Sequence, residues 1–157
     1  MNTDEQLTSL QPLCQNIPPA VLHDFVTRMD PDYFLRFDHQ VIAQHIQLVS
    51  QLTPEHPCDA TFMRQQDGRI EVTIVAYDYF SELATTCGLL SAFGLNIVEG
   101  YIYTFAERID PPLPRARWSG FEPRMRPKPH VSPGLHRKKI VDIFLVKPGR
   151  GVPFGPS

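Results

Sequence analysis

Between residues 70 and 77 the side chains alternate. Ile70, Val72, Ile74 and Ala76 fall on one side, and Glu71, Thr73, Val75 and Tyr77 on the other. This period of two predicts a half-buried strand. Asp67-Gly68, just upstream, supplies the positive φ angles of a tight turn, so residues 59–77, DATFMRQQDGRIEVTIVAY, read as a β-hairpin. The period then lengthens. Phe80, Leu83, Cys87, Leu90 and Phe93 recur at helical spacing over residues 80–93, with Asp78 placed to cap the start and Gly94 to stop the end. Gly88, in mid-helix, costs about 1 kcal/mol relative to alanine, which implies close packing on the sheet.

Alternation returns twice more. Val98, Gly100, Ile102 and Thr104 oppose Glu99, Tyr101, Tyr103 and Phe105. In IVDIFLV, residues 140–146, Val141, Ile143 and Leu145 oppose Asp142 and Phe144. Upstream, PPAVLHDFVTRM is a helix opened by Pro19, with Leu22, Phe25, Val26 and Met29 on one face. DHQVIAQHIQLVSQL is another, capped by Asp38, striped by Ile42, Ile46 and Val49, and ended by Thr53-Pro54.

From residue 38 the order is α-β-β-α-β-β. It predicts an α+β fold, a ferredoxin-like sandwich in permuted order, with two helices on one face of a four-stranded, mostly antiparallel sheet. The other face would carry Tyr101, Tyr103, Phe105 and Phe144. An aromatic surface of that kind needs cover from a second copy, a neighbouring domain or the proline-rich segment, so these four are the expected partner-binding residues. The expected organisation is a helical extension at 1–37, a domain at 38–147 and a flexible tail at 148–157.

Charge divides the chain further. Residues 106–139 hold seven of the sixteen prolines and nine of the fifteen Lys and Arg against three acidic residues, an insertion at +6 in a remainder at -8. The segment could meet an acidic partner or nucleic acid, with Trp118 and Phe121 stacking on bases. No nucleic-acid fold signature accompanies it, and a solvated loop stiffened by proline is the preferred reading.

At 157 residues the chain fits one domain, and no apolar run approaches the roughly 20 residues that span a bilayer. The three cysteines, Cys14, Cys58 and Cys87, are odd in number and widely spaced, which argues against a disulfide framework. With an acidic start, MNTDEQ, unlike a signal peptide, this predicts a cytoplasmic protein. Candidate chemistry is sparse. His39 and His45 lie six apart and point to different helix faces, His56 and Cys58 add no recognised spacing, and His23-Asp24 is an isolated pair. Cys87 lies on an apolar helix face with no base beside it. No catalytic site, metal or cofactor is expected.

One set of motifs adds to this picture. Asp78 opens a turn that continues to Leu83-Ala84. Gly94-Leu95-Asn96-Ile97 begins sixteen residues beyond Asp78. Glu99, Ile102 and Thr104 follow, and Asp142, Phe144 and Val146 close the series. In this register the chain resembles an ACT domain, whose pattern runs D-x-P-G-L-(L/F)-A, a helix, G-L-N-I-x-(D/E)-A-x-I-x-T, then D-x-F-x-V. It is most similar to the ACT region of bacterial PII uridylyltransferase and glutamine synthetase adenylyltransferase-type proteins. Residues 29–52 also resemble the helical segment that precedes that region.

The resemblance implies a non-catalytic regulatory domain that senses an amino acid, glutamine by analogy. Such a domain would act as a homodimer or in association with a nitrogen-metabolism nucleotidyltransferase. It places effector binding at Asp78, Tyr79, Phe80, Ser81, Glu82, Leu83, Asn96 and Ile97. The turn departs from the family: Ser81 stands for its glycine, Glu82 for the following leucine and Phe80 for the proline. An ACT scaffold without a ligand, acting as an interaction or dimerisation module, is therefore the alternative.

Overall fold

Proline and aspartate punctuate the N-terminal half. Helix α1 spans Thr3–Leu10 and runs into a short 3-10 turn at Gln11–Leu13. Pro19 opens α2 at Pro19–Arg28, and Pro31 opens α3 at Pro31–Arg36, where Asp30 accepts the Asp32 backbone N–H at 2.8 Å. Asp38 caps α4, His39–Ser50, by accepting the Val41 N–H at 2.9 Å. Strands β1 (Cys58–Arg64) and β2 (Ile70–Tyr77) form the expected hairpin, turned at Gly68 with φ of 85°. Helix α5 covers Glu82–Ala92 and stops at Gly94, φ 76°. Strands β3 (Leu95–Thr104) and β4 (Lys139–Pro148) complete the sheet. These elements belong to a computed structural model that describes residues 2–79, 82–108 and 137–151. The expectations for Phe80, Ser81, Trp118, Phe121, the rest of the segment 109–136 and the tail from 152 lie outside the described residues.

The fold is α+β with a four-stranded antiparallel sheet in the order β1-β2-β4-β3. Its layering differs from the expectation of two helices on one face. Ile42, Ile46 and Val49 of α4 pack with Val75, Tyr77, Phe105, Val141 and Ile143. Cys87 and Leu90 of α5 pack with Ile70, Val72, Phe144 and Val146. Residues 72 and 75, like 143 and 144, point to opposite sides of a pleated sheet. Helices α4 and α5 therefore cover opposite faces.

That layering corrects the aromatic surface. Phe105 is 1% exposed beneath the chain's own helices, and its ring stands edge-on to Phe25 at 5.5 Å. Tyr103 meets Tyr33 at 5.1 Å, and Tyr101 is half-buried with the Arg36 guanidinium 4.0 Å from its ring. Phe144 belongs to the other face. Residue 101 pairs with Ile143 across the ladder, and Phe144 pairs with Gly100, on which its ring lies. The face expected to await a partner is filled from within.

Residues before 38 pack into the same core. Leu10, Ile17, Leu22, Phe25, Met29 and Tyr33 belong to one buried cluster with α4 and the sheet. Charge ties the two parts together as well. Arg28 Nη1 lies 3.2 Å from Asp24, its Nε donates to the Ala106 carbonyl at 2.8 Å, and the Ala106 N–H donates to the Arg28 carbonyl at 2.8 Å. Lys139 approaches the same Asp24 at 3.9 Å, and burial lowers its pKa.

Inside this core the Tyr33 hydroxyl and His45 Nδ1 share a hydrogen bond of 2.6 Å. Burial lowers the His45 pKa to about 4. Below pH 6.5 the unfolded chain takes up a proton that the folded chain refuses, so stability from this residue falls as pH drops from 6.5 to 4. The shift corresponds to about 3 kcal/mol at most. His45→Asn, which can still bond Tyr33, should remove that acid loss, so that in urea melts between pH 4 and 7 the variant gains stability relative to the parent as pH falls. An unchanged slope would mean that His45 titrates normally in the fold.

Candidate functional site

The candidate ligand turn grows out of β2. Tyr77 ends the strand in the core, and the Asp78 N–H donates to the Lys138 carbonyl at 2.9 Å, fixing the exit of β2 to the approach of β4. Asp78 and Tyr79 are exposed. The described part of helix α5 begins at Glu82, four residues beyond Asp78. Glu82 is half-buried and accepts the Thr86 hydroxyl at 2.8 Å, while Leu83 is exposed.

Asn96 and Ile97, the other half of the expected site, lie elsewhere. They are exposed at the start of β3, opposite Lys147 and Val146 of β4, whereas Tyr77 pairs with Lys139 at the other end of that strand. Eight residues of extended chain span about 26 Å. Within one copy, residues 78–83 and Asn96 do not form a common pocket. Asn96 instead sits by the chain that leaves β4, where the Gly149 N–H donates to the Gly94 carbonyl at 2.7 Å.

What sequence reasoning missed is the burial of Asp142. This residue lies in the middle of β4, between Ile74 of β2 and Ile102 of β3, on the side facing α5. It is 0% exposed, and among the described residues neither carboxylate oxygen has a hydrogen-bond partner. Burial is the main cause that raises its pKa, to about 7. Glu82 and Asp78 push the same way, and the Tyr103 backbone N–H opposes them without reaching hydrogen-bond geometry. Basic neighbours are engaged elsewhere. Lys138 pairs with Glu107 at 3.3 Å, the Arg137 guanidinium lies over the Tyr77 ring at 4.5 Å, and Lys139 turns to Asp24 on the other face. A lone acid inside the apolar run IVDIFLV was the available signal. Alternation sets it beside Phe144, opposite Val141, Ile143 and Leu145, and β4 is a central strand with helices on both faces.

Other polar candidates have structural partners. Asp24 is engaged by Arg28, His39 Nε2 lies 3.3 Å from Gln6 Oε1, and Cys87 is half-buried against the α5-side core. Among the described residues no group of three His, Cys, Asp or Glu could hold a metal ion, and no helix is long and apolar enough to cross a membrane.

Helix α5 is the exception to ordinary surface chemistry. Glu82 is its single charge, and only Thr86 and Leu90 are buried. Leu83, Leu89 and Phe93 are 42%, 55% and 71% exposed. A Cβ at Gly88 would meet nothing within 4 Å, so this glycine faces outward, contrary to the expected packing on the sheet. No protein-family model matches the chain, and no curated protein matches it significantly.

Proposed function

We propose that this chain is a regulatory ACT-like domain that binds a small amino acid, glutamine by analogy, beside residues 78–83. Any catalysis would lie in another domain or another chain, of the nitrogen-metabolism nucleotidyltransferase type. The single observation that carries this reading is Asp142. A buried carboxylate without a partner among the described residues costs the fold several kcal/mol, and Glu82 and Asp78, of the stretch that the motif register marks for a ligand, act on it electrostatically. The sheet order β1-β2-β4-β3 supports it, being the order that a permuted ferredoxin-like sandwich would have. The placement of α4 counts against a complete sandwich. On this reading α5 is the one helix among the described residues on the sheet's ligand-side face.

The separation of Asp78 from Asn96 makes the site one of an interface. Two copies side by side, related by a two-fold axis, would set the Asp78 end of one against the Asn96 end of the other. Titration calorimetry with glutamine, then with the other amino acids, tests the proposal. One saturable ligand is expected, lost in Asp78→Ala, strengthened in Ser81→Gly and accompanied by a rise in sedimentation coefficient. A folded chain that binds no amino acid would sink it.

The interaction-module reading has its own observation, the bare surface of α5. A helix apolar on every side is normally buried, and α5 exposes most of its length, with Phe62 of β1 64% exposed on the same face of the sheet. Under that reading Leu89→Glu would abolish association of the chain with itself or a partner and leave its melting unchanged.

A further inference from the structure

We propose that the seam between the first turn of α5 and the centre of the sheet is a binding site for a primary ammonium group, with Asp142 at its base and Glu82 and Asp78 at its mouth. The proposal deepens the reading of residues 78–83 as a ligand turn, and rests on it. It names the part of the ligand that is held.

Burial grades inward along the three acids. Asp78 is exposed, Glu82 is half-buried and Asp142 has no exposed surface. Glu82, Thr86 and Leu90 repeat every fourth residue and form the stripe of α5 that faces the sheet. Leu90 packs at the Phe144–Val146 end of β4, so Glu82, two turns earlier, lies toward the Asp142 end. Glu82 gives one oxygen to Thr86 and keeps the other. Around Asp142, the neighbouring strands present Ile74 and Ile102 and no charge, and the cations of residues 137–139 are engaged as described above. The N-terminus of α5 contributes about half a positive charge, too little to offset three carboxylates.

A cation therefore answers a demand that no described residue meets, and the spacing selects its kind. The acids do not converge closely enough to coordinate one metal ion. An ammonium with three N–H donors needs no such convergence, because it bonds one carboxylate directly and is attracted by the others over a longer range. Access requires α5 to lift from the sheet. With only Thr86 and Leu90 buried, it is held by few contacts and opens at low cost. Seating a cation favours ionised Asp142. With a carboxyl that titrates near 7 in the free chain, affinity should rise about tenfold between pH 6 and 8.

The test titrates the whole chain by calorimetry with L-glutamine, N-acetyl-L-glutamine, L-glutaminamide and putrescine, at pH 6 and 8, in the native protein and in Asp142→Asn. Glutamine and glutaminamide should bind, acetylation of the amine should weaken binding at least tenfold, and Asp142→Asn should remove it. Equal binding of glutamine and its N-acetyl form, or undiminished affinity in Asp142→Asn, would overturn the ammonium seat and leave the sensor reading standing. Binding of glutaminamide or putrescine without any amino acid, lost in Asp142→Asn, would support the seat and refute the sensor. Silence with every probe would overturn both.

Discussion

Asp142→Asn should make the protein more stable above pH 7, by up to about 4 kcal/mol. The sign follows from where the proton sits. An aspartate in the unfolded chain releases its proton near pH 3.8, whereas folded Asp142 keeps it to about 7. Between those values the folded state binds the extra proton, so stability falls as pH rises, and above 7 the loss is complete. Asparagine has the same shape and no charge, so it avoids that loss. Its amide must still find partners in the site, which is why the full figure is a ceiling. His45 slopes the other way over pH 4 to 6.5, because there the unfolded state holds the extra proton. In the native protein the two slopes oppose each other and leave a shallow profile. Removing Asp142 should expose the His45 limb as a clear loss of stability on acidification. Urea melts from pH 4.5 to 8.5 would show both effects. A variant less stable than the parent at pH 8 would mean that the carboxylate has a partner in the folded chain.

How much of this was legible in the sequence depended on the reach of each signal. Local chemistry was well marked. Asp38 caps α4, Asp67-Gly68 turns the hairpin and Gly94 ends α5, because each acts within about four residues of itself. Alternation gave the strands and even the paired faces within each strand. It did not say which face meets which helix. Phe144 was grouped with Tyr101, Tyr103 and Phe105 because aromatic character was read across strands, whereas register decides the matter: residue 101 pairs with 143, and a shift of one residue reverses the side.

The helix Pro31–Arg36 has six residues, too few to show a period, and α1 has a weakly apolar face, so the N-terminal helices were only partly visible. The site was harder still. Asp142 comes from a strand far along the chain from Asp78 and Glu82, and a buried charge has no periodicity of its own. What the sequence did carry was the motif register, which marked both Asp78 and Asp142 without showing that one of them is buried.

A chain that begins at Asp38 should fail to fold, and this is the larger of the two effects. The cut removes Leu10, Phe25 and Tyr33, each wholly buried, and strips the cover from Tyr77, Phe105 and Val141 on the sheet. Burying one large apolar side chain is worth about 1.5–3 kcal/mol. Six such losses match or exceed a typical total stability of about 5–15 kcal/mol. The same core can be probed by one residue, with Phe105→Ala expected to cost about 3–5 kcal/mol. Its ring packs on Phe25, and the charged groups of Arg28 and Lys139 lie 5.4 and 5.5 Å from its centre. Loss of a cooperative melt in the truncated chain, together with a lowered but cooperative melt in Phe105→Ala, is the expected pair of results. A truncated chain that melts cooperatively would restore residues 1–37 to the status of an appendage and reopen the aromatic face to a partner. If the truncation unfolds, that face is permanently occupied, and the partner proposed above would have to dock on the side that carries α5.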